Sequence, residues 1–95
     1  QTKVKNIIVW GIGEYANLLL NNSITFSASK VKFFVDSNHH KQGTKFRNLK
    51  VLSPTEVKKH HEPILIASSF WYHDIVDTLK DFKVDKKRIL SSSLI

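Results

Sequence analysis

Residues 7–16 read Ile7-Ile8-Val9-Trp10-Gly11-Ile12-Gly13-Glu14-Tyr15-Ala16, an apolar run that breaks at two glycines and restarts with helical spacing. A strand covered on both faces carries such a run, without polar alternation. The Gly-x-Gly-x-x-Ala that closes it is the turn by which a strand hands its chain to a helix N-terminus, the end at which free backbone N–H groups hold an anion. Each small residue has its own task. Gly11 lets the chain turn tightly, Gly13 lets a phosphate approach the backbone, and Ala16 lets helix and strand pack closely. The stretch points to a nucleotide-binding α/β fold and is silent about any reaction.

Outward from this turn the chain alternates. Val4 to Trp10 is expected as the first strand and Glu14 to Asn22 as the first helix, with Tyr15, Leu18 and Leu19 on one face, Ala16 and Leu20 widening it, and Asn21-Asn22-Ser23 as the stop. Ser23 to Ser29 reads as a long irregular turn, with Ile24 and Phe26 tucked under the sheet. Val31 to Val35 is the second strand. It ends in Asp36-Ser37-Asn38, an acid about 20 residues past the glycine turn, where such folds bond a ribose hydroxyl. His39 to Asn48 reads as a polar, basic loop around Gly43, and Leu49 to Leu52 as a short strand at the sheet edge.

Further on, Ser53-Pro54-Thr55-Glu56 has the form of a capping box and starts a short helix through His60. Pro63 to Ala67 is a compact apolar strand whose proline fits its first position. Ser68 or Ser69 caps the last long helix, with Ile75, Val76, Leu79 and Phe82 as its buried stripe and Asp74, Asp77, Lys80 and Asp81 facing water. Asp85 to Leu90 gives a turn and a last short strand. This alternation builds a small parallel sheet with helices on both faces, in which ligands sit at the carboxyl ends of the strands, near the point where strand order reverses. Gly11–Gly13, Asp36 and Ser68–Tyr72 should converge there.

A chain of 95 residues makes one domain with room for one core only, so residues 1–95 are read as one unit. The absence of methionine leads to the expectation of a fragment of a longer protein. No apolar run approaches the ~20 residues that span a bilayer and the first residues lack the apolar core of a signal peptide, so no membrane partner is expected and the cytoplasm is the default compartment. With no cysteine in the chain, disulfides, thiolate catalysis and thiolate metal sites are excluded. The net charge of +7 and pI of about 9.8 make a polyanion a candidate partner. Most of the excess sits between Lys30 and Lys50, where five lysines and Arg47 face a single acid, Asp36. A basic loop of this kind serves a nucleotide as well as DNA, and equally serves solubility.

The candidate nucleotide contacts are therefore Gly11, Ile12 and Gly13 at the turn, Asp36 with Ser37 beside it at the second strand, and Ser68 and Ser69 after the Pro63–Ala67 strand. Lys41, Lys45 and Arg47 are candidates to neutralise a ligand phosphate, or are simply solvated. Phe70-Trp71-Tyr72-His73 puts aromatics at the crevice mouth, either to stack a base or sugar ring or to fill core and interface. The pairs His39-His40 and His60-His61 complete no metal-ligand set, because adjacent side chains diverge and no spaced partner follows. Nor does a nucleophile, base and orienting acid appear at a recognisable spacing, so independent catalysis is not expected.

Taken together, Trp10-Gly11-Ile12-Gly13, Phe34-Val35-Asp36-Ser37-Asn38, Lys41-Gln42-Gly43, Ser53-Pro54-Thr55-Glu56 and Ile64-Leu65-Ile66-Ala67-Ser68 resemble a known pattern. It is that of the small Rossmann-like domains attached to bacterial enzymes of nucleotide-sugar and surface-polysaccharide metabolism. These include amino-terminal domains of sugar acetyltransferases and of sugar epimerases or dehydratases, and carboxyl-terminal domains of sugar C-methyltransferases. The chain departs from the pattern at Ser37, where a second acid is common, and at Glu14-Tyr15, where the turn is usually glycine-rich. A carboxylate at Glu14 would repel a pyrophosphate. The resemblance implies a module binding NAD, a related nucleotide or a sugar nucleotide, joined to the remainder of its own polypeptide. The alternative is a docking domain that binds nothing and positions a methyltransferase or other sugar-modifying domain. Nucleic acid is not expected as a partner, since neither a helix-turn-helix nor an interleaved aromatic and basic strand motif is present.

Overall fold

Ile7, Ile8, Val9 and Trp10 are all buried, which is possible only for a strand with neighbours on both edges and cover on both faces. This strand, β1 (Asn6–Trp10), lies inside a six-stranded sheet. The computed structural model describes residues 6–22 and 30–91. The other strands are β2 (Lys30–Val35), β3 (Lys45–Phe46), β4 (Leu49–Leu52), β5 (Ile64–Ile66) and β6 (Ile89–Ser91), in the spatial order β3-β4-β2-β1-β5-β6. All pairs are parallel except β3 with β4. Val4 and Lys5 of the expected first strand and the expected Ser23–Ser29 turn, with Ile24 and Phe26, lie outside the described residues.

Alternation along the strands creates two cores, one on each face of the sheet, where the length of the chain suggested room for one only. Ile7 and Val9 point to one face, with Phe34, Val51 and Leu65, and are covered by Ala16, Leu19 and Leu20 of α1 (Glu14–Asn22). Ile8 and Trp10 point to the other, with Phe33, Val35, Ile64 and Ile66. There the cover is Val57 of the 3₁₀ helix Pro54–Lys59 together with Ile75 and Leu79 of α2 (Tyr72–Asp81). Each fully buried aliphatic or Phe side chain contributes about 1.5–3 kcal/mol relative to exposure, so both layers are needed to hold the sheet. The α/β sheet with helices on both faces is therefore as expected from the sequence.

Several local expectations are corrected. Leu18 is 55% exposed, because α1 buries the arc of Ala16, Leu19 and Leu20, with Tyr15 packed at its side, and Leu18 falls off that arc. Leu49–Leu52 is not the sheet edge: part of the expected His39–Asn48 loop forms β3, which pairs outside β4. The turn between them holds Arg47 and Asn48 at φ 52° and 65°, the left-handed pair of a tight hairpin, where the sequence offers no Asn-Gly signal. Ser53 does not close a capping box. Its Oγ accepts from the Thr55 N–H at 3.4 Å, and the Glu56 N–H goes to the Ser53 carbonyl at 3.0 Å, which winds the segment as a 3₁₀ helix. Neither Ser68 nor Ser69 caps α2. The Ser68 hydroxyl accepts from the Trp71 N–H at 3.1 Å and closes the turn before the helix, and Trp71 is the N-cap without a side-chain bond.

At the amino end of the sheet, β1 and β2 slip register: Ile7 pairs with Val31 and Ile8 with Phe33, leaving Lys32 as an extra residue. Lys32 reaches Glu62 Oε2 at 3.1 Å and His60 Nδ1 at 3.3 Å, while the His60 ring packs on Phe33 with centroids 4.9 Å apart. Arg88, in the 3₁₀ turn Lys86–Arg88, donates to the carbonyls of Glu62 (3.0 Å) and Val57 (3.3 Å). The cluster ties β2, the approach to β5 and the lead into β6 together. Burial pushes the Glu62 carboxyl up, but a backbone hydrogen bond and Lys32 outweigh it and hold the group below its ordinary value of 4.5. A depressed carboxyl contributes stability that is present above the unfolded-state value and is lost as pH falls through the folded one. Urea unfolding at pH 7 and pH 3 should therefore show a smaller acid loss in Glu62→Gln than in the parent, by about 1 kcal/mol at most for a partly solvated pair; equal losses would show that Glu62 carries no acid-side linkage.

Candidate functional site

The strand order reverses at β1, which has β2 on one side and β5 on the other. The carboxyl ends of these three strands open into a cleft of about 480 Å³, within the size range of small-molecule sites. From the end of β1 and the turn after it come Trp10, Gly11 and Ile12, and from the loop after β2 come Asp36, Ser37, Asn38 and Lys41. Ala67 and Ser68 follow β5, and α2 closes the remaining wall with Trp71, Asp74, Ile75 and Thr78.

Gly11 sits between β2 and β5. Its N–H donates to the Val35 carbonyl at 2.8 Å, and the Ala67 N–H donates to the Trp10 carbonyl at 2.8 Å. With φ at +118°, a Cβ on Gly11 would stand 2.7 Å from the Ala67 carbonyl oxygen, so only glycine fits. Gly13 differs. Its φ of +147° also favours glycine, yet a Cβ there would meet nothing within 4 Å: the space above the turn is open.

Asp36 is held from three directions. Its N–H donates to the Leu52 carbonyl at 3.2 Å, its own carbonyl accepts from Gln42 Nε2 at 2.8 Å, and its Oδ1 accepts from the Asn38 N–H at 2.9 Å. Asn38 repeats the motif by accepting from the His40 N–H at 2.9 Å. Among the described residues nothing bonds to Asp36 Oδ2, so one oriented carboxylate oxygen at the rim of the cleft is available to accept.

Of the residues expected to converge, Gly11, Ile12, Asp36, Ser37 and Ser68 line the cleft. Gly13 and Ser69 do not line it, and Ser69 is exposed beside it. Of the basic candidates only Lys41 reaches the cleft. Lys45 lies on β3, and Arg47 turns to α1, donating to Asn17 Oδ1 at 2.8 Å and Asn21 Oδ1 at 3.1 Å. Among the aromatics Trp71 lines the cleft at 58% exposure; Phe70, 82% exposed, stacks edge-on against it at 4.7 Å; Tyr72 packs on the α2-side core. Sequence reasoning did not place Trp10, Asn38, Thr78 or Asp74 at the cleft; Asp74 is exposed to water as expected, and stands at the open edge of the cleft as well. Trp71, Asp74, Ile75 and Thr78 follow i, i+3, i+4, i+7, the spacing of one helix face, and that face turns to the cleft. Glu14 is exposed at the start of α1, where an acid favours the helix dipole. Among the described residues no cluster of three His, Asp or Glu could hold a metal ion, and no helix is long and apolar enough to cross a membrane.

Residues 3–90 match the family described as C2185-like, N-terminal. The chain belongs to the C2185-like N-terminal family. No curated protein matches it. Among solved structures, UDP-D-quinovosamine 4-dehydrogenase from Vibrio fischeri superposes with a TM-score of 0.65 at 19% identity, covering 94% of this chain and 78% of that one. RSP in complex with β-NADH gives 0.62 at 18% identity, covering 93% of this chain and 45% of RSP. RSP with β-NAD⁺ and operator DNA gives 0.63 at 14% identity, covering 94% and 50%; RSP is a Rex-family repressor. The chain thus spans about half of RSP. At these identities the likeness is one of fold, and the C2185-like fold is Rossmann-like.

The two glycines should respond differently to a methyl group. Gly13→Ala carries a backbone strain of about 1–3 kcal/mol alone. Gly11→Ala adds overlap with the Ala67 carbonyl, about 1–3 kcal/mol more, or does not fold. Urea midpoints measure the difference, and equal losses would mean that the β1–β5 approach yields freely.

Proposed function

We propose that this chain is a nucleotide-binding module in which Gly11, Ile12 and Gly13 face the phosphates and Asp36 accepts a hydrogen bond from an unmodified ribose. Ser37 and Ser68 stand within the same rim as further polar contacts, with Ser69 exposed beside it. The observation that carries this reading is the free Asp36 Oδ2 in a cleft shared with the glycine turn, at the reversal of strand order. The printed names of the fold neighbours support it: one is a UDP-sugar dehydrogenase, and another was solved with β-NADH and with β-NAD⁺. The ligand is NAD or a sugar nucleotide, and no residue is assigned to catalysis. In this reading the module serves a larger bacterial sugar-modifying enzyme, as the sequence resemblance implies, with the cytoplasm as its default compartment. Nucleic acid is not proposed as its partner, although RSP was solved with operator DNA. Within the basic segment Lys32 is paired with Glu62, and Arg47 is engaged by α1.

A second reading rests on Phe70 and Trp71, which expose large apolar surface at the cleft mouth. Such surface suits docking against the remainder of the polypeptide, with or without a nucleotide beneath.

Dissociation constants for NAD and NADP on the parent and on Asp36→Ala test the binding reading. Two unit charges about 4 Å apart repel by about 4 kcal/mol at an effective dielectric of 20, and solvent at the open cleft reduces this. NAD should bind at least about tenfold more tightly than NADP, about 1.4 kcal/mol, and the preference should collapse in Asp36→Ala. Tighter NADP binding to the parent, or unchanged selectivity in the variant, would remove the ribose role; no binding of NAD, NADP or UDP-glucose would leave the docking role in its place.

A further inference from the structure

Trp10 closes β1 and forms part of the cleft, yet only 3% of it is exposed. Its indole N–H can donate and cannot accept, and among the described residues it donates to no group. Nor is it sealed inside the core. Among the described residues, Glu62 Oε1 is the one wholly buried side-chain nitrogen or oxygen without a hydrogen-bond partner, so the Trp10 nitrogen keeps a small opening. The cleft is the open space that Trp10 borders, which puts this donor at its floor. A ligand that fills the cleft shuts water away from the N–H, and a donor left unpaired in that way is costly.

The order of the sheet sets which part of a nucleotide arrives there. Asp36 follows β2, the glycine turn follows β1 and Ser68 follows β5, so ribose, diphosphate and whatever the diphosphate carries on its far side spread across the sheet in that order. The diphosphate has its room over Gly13, where the space is open and which does not line the cleft. Around the cleft two carboxylates, Asp36 and the exposed Asp74, stand against one cation, Lys41, a balance that suits an uncharged group. Ile75, from the same core layer as Trp10, and the ring of Trp71 add apolar surface for it. Resting on the nucleotide-binding reading, we infer that Trp10 is a ligand-binding residue. Its indole N–H donates to an uncharged oxygen, a hydroxyl or a carboxamide carbonyl, on the group beyond the diphosphate, and that group occupies the cleft.

The indole N–H resonances of the nitrogen-15-labelled whole chain test this. There are two, from Trp10 and Trp71, and Trp71→Phe tells them apart. Saturating UDP-glucose or NAD should move the Trp10 resonance downfield, and inorganic pyrophosphate should leave it in place. UDP and ADP-ribose identify the source of the oxygen: a shift given by UDP-glucose and lost with UDP assigns a hexose hydroxyl, and one given by NAD and lost with ADP-ribose assigns the nicotinamide carboxamide. Trp10→Phe keeps an aromatic ring and removes the donor, so it should weaken the ligand that gave the shift about tenfold while UDP and ADP-ribose change little. Should that variant fail to fold, the resonance in the parent decides. A Trp10 resonance that stays in place while UDP-glucose or NAD binds, or that moves as far with pyrophosphate, UDP or ADP-ribose, would overturn the role of Trp10 and leave nucleotide binding intact. So would a loss in a folded Trp10→Phe shared equally by UDP and UDP-glucose, or by ADP-ribose and NAD. Failure of every one of these nucleotides to bind the parent would overturn the nucleotide-binding reading itself, and this role with it.

Discussion

Where β1 ends, the chain passes so close to β5 that the carbonyl of Ala67 occupies the space in which Gly11 would carry a side chain. Around that contact, hydrogen bonds run outward in both directions, from Gly11 to Val35 on β2 and from Ala67 to Trp10 on β1. Three strand ends are thus fixed against one another at the place where the sheet's order turns back. The cleft is a consequence of that fixing, since the chain leaves β1 toward α1 on one face and leaves β5 toward α2 on the other. Loosening the approach of β1 and β5 would shift the turn, the Asp36 rim and the α2 wall together.

The polar groups of the cleft are placed by backbone geometry more than by other side chains. Asp36 is oriented by an Asx turn and by a strand hydrogen bond to Leu52, and Gln42 clamps its carbonyl from the following loop. On the opposite wall α2 uses two adjacent arcs of one helix. Ile75 and Leu79 enter the core, while Trp71, Asp74 and Thr78 stand over the cleft. The packing that buries the first arc sets the distance of the second from the sheet, so core and site share a helix and a register.

The β1–turn–α1 unit and the parallel sheet were legible in the sequence because a doubly covered strand, a glycine turn and an apolar helix arc each leave a local pattern. The bounds of α1 and the carboxyl ends of β1 and β2 followed from those patterns, as did the meeting of Gly11, Asp36 and Ser68, while β5 ends at Ile66, one residue short of the expected Ala67. What the sequence concealed depends on contacts across the chain. Arg47-Asn48 lacks the glycine of a hairpin signal, so β3 was hidden in an apparent loop. Arg47 looked like a phosphate ligand because its partners, Asn17 and Asn21, lie 30 and 26 residues away. Asp74 is solvated as it looked, but its place beside the cleft stayed hidden, because a polar residue on an amphipathic helix reads the same whichever stretch of surface it borders.

The hairpin has a further effect on the molecule's solubility. A parallel sheet that stopped at β4 would present a row of free N–H and C=O groups ready to pair with a strand from another chain. Instead, the sheet finishes at that side in a two-residue antiparallel ribbon, too short to serve as a template, with Lys45 and Lys50 directly opposite each other on it. Phe46 turns inward against Phe34 with ring centroids 5.0 Å apart, so the ribbon stays anchored while showing charge outward. Part of the basic excess of this chain is in this way a guard against self-association, whatever the cleft beyond it holds.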